Sequence, residues 1–215
     1  MMQLTPDECR VLGVLVEKEL TTPAQYPMSL NAVINGCNQK SNRDPVVTLD
    51  EDRAVFAMDG LRDKKLVIYA DTLGSRVMKY KHSAQELLGI GVTELVILTE
   101  MLLRGPQTVG ELRGRASRMH PLESLEVVQN TLAHMMDRPE PLVRPIPGGR
   151  ATRYAQLLCP DLHPLAASSG AEMPAAAAPA DPGLADRVSQ LEDEVKLLRQ
   201  SIGKLATQLG ATDIL

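Results

Sequence analysis

The sequence predicts a mainly α protein with small β-hairpins, of the α+β class. Three observations predict it: apolar residues at helical spacing behind Thr-x-x-Glu start signals, short alternating segments flanking Gly-containing turns, and an order of elements that occurs twice in 215 residues.

The first helix opens at Thr5, with Pro6 in its first position, Asp7 favourable to the helix dipole and Glu8 completing the box. Cys9, Leu12, Val16 and Leu20 recur on one face over about four turns, and "TTPAQYP" ends the run. A short second helix is expected from about Ser29 to Cys37, with Leu30, Val33, Ile34 and Cys37 on one face. A polar loop, residues 38–46, separates it from a third helix over 49–64, opened by a Thr48–Glu51 box and facing inward through Ala54, Met58 and Leu61. "LVIYA", "DTLGS" and "RVMKY" then read as strand, turn and strand.

The same order follows again. "TELVILTEMLL" (93–103) is a helix stopped by "RGPQ", Thr108 and Glu111 box the start of "VGELRGRA", and a longer helix over about 123–137 carries Val128, Leu132 and Met135. "PLVRPIPGGRATRYA" closes as a second hairpin. The tags "RVMKY" (76–80) and "RATRY" (150–154) lie 74 residues apart, the offset that also separates Ala54, Met58 and Leu61 from their counterparts. Three helices and a hairpin is the order of a winged helix-turn-helix. The expectation is therefore two tandem winged-helix domains, residues 1–82 and 83–160.

Residues 161–183 fall in the Pro/Ala-rich stretch "CPDLHPLAASSGAEMPAAAAPADPG", which reads as a linker. Over residues 184–210, Leu184, Val188, Leu191, Val195, Leu198, Ile202 and Leu205 form a heptad seam. β-Branched residues at a with Leu at d favour a parallel two-stranded coil, hence a homodimer. Arg187 facing Glu192 and Glu194 facing Arg199 agree with it. The alternative is a single amphipathic helix docked on its own domains, which the short seam and Gly203 favour.

The formal net charge is -4, with the deficit concentrated at the C-terminal end: residues 159–215 hold 4 Lys/Arg against 8 Asp/Glu, and the preceding domains are nearly neutral. One Phe and no Trp leave little for base stacking, so any nucleic-acid partner should be duplex. Three cysteines far apart disfavour a disulfide scaffold or a zinc site. The start lacks a basic leader and an uninterrupted apolar run, so a cytoplasmic location without membrane contact is expected.

Motifs for catalysis are absent, and the four histidines are dispersed. Asp7, Glu8, Asp50, Glu51 and Glu111 occupy first helical turns, where capping explains them. Cys37 ends an apolar stripe and reads as a buried structural thiol. No enzymatic activity, cofactor or metal is expected.

Two binding readings remain. In the first, a dimer binds double-stranded DNA in the manner of a transcription regulator, with Lys40, Arg43, Arg113, Arg115, Arg118, Arg150 and Arg153 contacting the nucleic acid. The acidic "TLDED" start of the third helix opposes this in the first domain, and Glu123 and Glu126 again stand in the first turn of the second domain's third helix. In the second reading the winged-helix surfaces meet an unidentified protein, making the chain an adaptor. The loop residues Asn38 to Arg43 suit either phosphate contact or a turn that satisfies its own backbone.

The segments "LTPDECRVLGVLVEKELTTPAQYPMSLNAVINGCNQKSNRDPV", "LLRGPQTVGELRGRASRMH" and "RYAQLLCP" resemble the YceH-like bacterial proteins, over about residues 4–165. The resemblance implies a cytoplasmic bacterial protein with two winged-helix domains. It carries no catalytic or ligand residues onto this chain.

Overall fold

Helical starts and stops follow the local sequence closely. The computed structural model describes residues 2–70, 77–146, 151–159 and 162. Its first half runs α1 (Pro6–Thr21), β1 (Met28–Ser29), α2 (Leu30–Cys37), α3 (Glu51–Asp63), β2 (Val67–Ala70) and β3 (Lys79–His82). A short helix, α4 (Ala84–Leu88), leads into α5 (Val92–Arg104), β4 (Gln107–Thr108), α6 (Val109–Ala116), α7 (Leu125–Met136), β5 (Val143–Ile146) and β6 (Arg153–Gln156). The protein is thus mixed α and β. Linker and coil, including Leu184, Val188, Leu191, Val195, Leu198, Ile202 and Leu205, lie outside the described residues, as does Arg150.

The boxes at Thr5 and Thr108 form as expected: each threonine side chain accepts the backbone N–H of the glutamate three residues on, and that glutamate accepts the threonine N–H. The third box does not form. Asp50 caps α3, its Oδ1 accepting the Arg53 N–H at 2.9 Å, and the helix begins at Glu51. The reason is remote: Asn38 takes the Leu49 N–H at 2.7 Å and donates to the Leu49 carbonyl at 2.9 Å, committing that peptide to a loop bond. Leu49 enters the core, and the helix starts after it.

The strand pairs of both expected hairpins are present, their turns lying outside the described residues, and each pair gains a third strand. The antiparallel sheets run β1-β3-β2 and β4-β6-β5, with Tyr69 opposite Tyr80 in one and Pro145 opposite Tyr154 in the other. The added strands are two residues long and end directly in the N-caps of α2 and α6. They escape period-two reading because two residues have no period.

α1 and α5 are buried nearly all round. Val11, Leu12, Val14, Leu15 and Val16 on one helix and Leu95, Val96, Ile97, Leu98, Met101, Leu102 and Leu103 on the other are at most 2% exposed. A helix apolar on every side belongs inside a core. Here the two helices pack on each other, so one hydrophobic core includes residues of both halves. Gly13 permits the approach, since a Cβ there would lie 2.9 Å from Leu103 Cδ2. Among the described residues no helix is long and apolar enough to cross a membrane.

Candidate functional site

The polar loop 38–46 turns inward and grips the second half. Asn42 adopts a left-handed backbone, φ 59°, which asparagine tolerates, and the chain doubles back so that Arg43 points into the protein. Its guanidinium donates to Glu17 Oε2 at 2.5 Å and Oε1 at 3.1 Å, and its remaining N–H groups reach the carbonyls of Gly36 and Asn42 and the Gln39 side chain. The side chain is 0% exposed. The expected nucleic-acid contact by Arg43 is therefore corrected: every nitrogen has a partner inside the protein.

Glu17 gathers a second arginine from across the junction. Arg118 Nη1 donates to Glu17 Oε1 at 2.6 Å, and its Nη2 reaches Glu100 Oε2 at 3.2 Å. Arg104 lies 3.3 Å from Glu100 and donates to Asn42 Oδ1, while the Asp44 N–H bonds the Leu103 carbonyl at 2.9 Å. Burial alone would raise the Glu17 carboxyl, but Arg43 and then Arg118 outweigh it and hold the group below the usual carboxylate range. Buried Arg10, which donates to the Pro45 carbonyl at 2.6 Å, is lowered by burial and by neighbouring Arg43.

The second-half arginines do not form one patch. Arg113 bonds the Leu122 and Glu123 carbonyls, tying α6 to the approach of α7. Arg115 bonds Gln107 and pairs with Glu111 at 3.4 Å. Two positions apart on a helix, Arg113 and Arg115 point about 200° from each other. Exposed Arg153 belongs with Arg115: the Thr108 N–H is the main cause of the low pKa of Glu111, and the charges of both arginines add to it. Lys40 is exposed at the loop. Arg43 and Arg118 are thus brought together, but by the buried carboxylate of Glu17.

Among the described residues the most exposed large apolar side chain is on α3. Phe56, the only phenylalanine, is 78% exposed, and Val55 beside it is 40% exposed. At helical spacing the outer stripe reads Asp52, Phe56, Asp59, Asp63. Arg62 bonds Asp59 at 2.9 Å and lies 4.0 Å over the Tyr69 ring. A groove of about 570 Å³ opens beside the start of this helix, lined by Leu30, Ile34, Glu51, Val77, Met78 and Tyr80.

A second cleft, about 510 Å³, holds His82 and Glu19. His82 Nε2 lies 2.5 Å from Glu19 Oε2, and Nδ1 accepts the Ala84 N–H at 3.3 Å, which selects the neutral Nε2–H tautomer. Burial lowers its pKa, against the pull of Glu19. Both ring nitrogens are engaged, and the side chain is 4% exposed. Sequence reading missed this pair and the Glu17–Glu100 cluster. The available signal was a carboxylate inside an apolar run, in "VLVEKEL" and "VILTEMLL".

The family described as protein of unknown function DUF480 matches residues 4–152. The chain belongs to this family. The DUF480 match contains Glu17, Arg43, Glu100 and Arg118 of the junction as well as the Phe56 face. The UPF0502 protein of Pelobacter propionicus is 47% identical over 209 residues, spanning 95% of this chain and 94% of its own length. That of Citrifermentans bemidjiense is 48% identical over 201 residues, 90% of either chain. The UPF0502 protein of Geobacter sulfurreducens is 51% identical over 160 residues, 72% of this chain and 73% of its own. Membership in DUF480 agrees with the resemblance to YceH-like bacterial proteins.

Proposed function

We propose that this DUF480 protein is a non-enzymatic interaction adaptor of two tandem winged-helix domains, paired into a dimer by its C-terminal coil. Its first domain docks a partner protein on α3. The winged-helix reading rests on an element order and a strand order that occur twice, with β2–β3 and β5–β6 as wings and α3 and α7 in the place of recognition helices.

The Asp52–Phe56–Asp59–Asp63 stripe carries the proposal. Three carboxylates around an exposed aromatic repel phosphate, so the face is unsuited to nucleic acid. A second copy laid antiparallel on α3 would set carboxylates against carboxylates. Aromatic side chains anchor protein interfaces by filling apolar pockets. The complementary partner is a protein segment whose Lys or Arg residues flank an apolar pocket.

Binding of duplex DNA by the second domain is a second reading, favoured by exposed Gln129 and Asn130 on α7, with Arg113 at its start. Amide side chains of this kind pair with adenine edges. Glu126 on the same helix opposes it.

A photoreactive residue placed at Val55 or at Gln129 in living cells separates the readings. Cross-links at position 55 should yield one protein, whose purified form binds the full chain and loses roughly 30-fold in affinity to Phe56→Ala. If Phe56→Ala binds that protein as tightly as the parent chain, the adaptor reading is wrong. Cross-links to duplex DNA from position 129 alone would transfer the case to the second domain. For the coil, light scattering should give twice the protomer mass for the full chain and a single protomer without residues 184–215.

A further inference from the structure

Two cysteines that are remote in sequence meet in the core. Cys9 lies on α1, and Cys159 follows β6 by three residues. A backbone bond from the Leu4 N–H to the Leu158 carbonyl, 2.7 Å, brings the exit of β6 against the start of α1. The two residues are 0% and 1% exposed, and their thiols are hydrogen-bonded to each other. No described cysteine is in a disulfide, and Cys37 sits elsewhere, beside Arg10 and Arg43.

We propose that Cys9 and Cys159 are a redox pair that closes into a reversible disulfide, tying α1 of the first half to the chain leaving the second. Thiols already in hydrogen-bond contact need only a short approach to reach an S–S bond of roughly 2.0 Å. The oxidant is a low-molecular-weight disulfide of the glutathione type. Opening of residues 157–159 lets the Cys159 thiol lose its proton to water. Its thiolate then attacks one sulfur of the oxidant, breaking that S–S bond and releasing one thiolate. That released thiolate takes the proton of Cys9, whose sulfur then displaces the second small thiolate from Cys159 and forms the protein disulfide, and solvent protonates the second thiolate. Two protein thiols have then lost two electrons and two protons, and one small disulfide has become two thiols.

The local bonds set the gate. Residues 157–159 are held by the Leu157 N–H on the Leu142 carbonyl, the Leu4–Leu158 bond and the Gln156 side chain on Cys159. These can open without unfolding α1. Burial keeps the Cys9 thiol protonated while the segment is closed, so exchange is slow in the closed state and accelerates on opening.

The test exposes the full chain to graded ratios of oxidised and reduced glutathione at neutral pH without denaturant, followed by alkylation and non-reducing peptide mapping. The expected product is a peptide pair joining Cys9 to Cys159, two hydrogens lighter than the reduced pair and released by dithiothreitol. Its Tm should exceed that of the reduced chain, because a long loop is closed. Cys37→Ala must retain the link and Cys159→Ser must lose it. Should Cys159→Ser fail to fold, Cys37→Ala still reports the link. The proposal is overturned if glutathione stays on one cysteine without a cross-link, if Cys37 takes part, or if nothing reacts until denaturant is added.

Discussion

Glu17 shows how much one carboxylate can organise. It sits at 2% side-chain exposure between Arg43 of its own half and Arg118 of the other. Removing one partner of a buried ion pair strands the remaining charge, which typically costs about 3–5 kcal/mol. Glu17→Gln should lower folding stability by that order, read from the midpoint of urea unfolding. The pH dependence has a definite sign: a carboxylate held below its ordinary value of 4.5 contributes stability above that value and loses it as pH falls through the folded pKa. The Gln variant should therefore show a flatter acid limb. Phe56 is the opposite case: at 78% exposure, Phe56→Ala should change stability by no more than about 0.5 kcal/mol. Leu61→Ala on the same helix, at 0% exposure, should cost about 2–5 kcal/mol. The pair of unfolding curves separates a surface residue from a core residue.

The helix starts set the scale of the element. Asp50→Ala should cost about 0.5–2 kcal/mol by removing the α3 cap, whereas Thr48→Ala should stay within about 0.5 kcal/mol; thermal melts of the two variants compare them directly. The boxes at Thr5 and Thr108 were legible in the sequence because every bonded atom lies within three residues. Thr48 misled because Asn38, eleven residues before Leu49, decides where α3 begins. The same distinction divides the candidate sites. Lys40 is on the surface, as its chemistry suggests, but Arg43 is not, since Glu17 and Gly36 reach it through the fold. Cys9 and Cys159 escaped for the same reason: a separation in sequence says nothing about a meeting in the core. One long-range contact was legible after all, in "VLGVLV", whose all-round apolar character requires a neighbour on every side. Gly13→Ala presses on that neighbour and should destabilise by about 1–3 kcal/mol.

For the whole molecule, the shared core predicts joint unfolding. α1 buries against α5, Asp44 of the loop 38–46 bonds Leu103 of α5, and Glu17 of α1 pairs with Arg118 of the second half. Calorimetry of residues 1–168 should therefore give one transition, with calorimetric and van't Hoff enthalpies equal. Two transitions would mean that the halves fold independently. The repeated order of elements was readable at this scale. The surface between the repeats was not, because periodicity identifies an apolar face without naming what covers it.

The grip of loop 38–46 on α5 also has a meaning for recognition. Domains on a slack tether help one another only through local concentration, and each must lose orientational freedom when both engage a target. Here Asp44 on Leu103 and Arg118 on Glu17 have already fixed that orientation during folding. On the proposed adaptor reading, a target touching both α3 and α7 would meet a ruler of set length, and selection among targets would become a matter of spacing as well as chemistry.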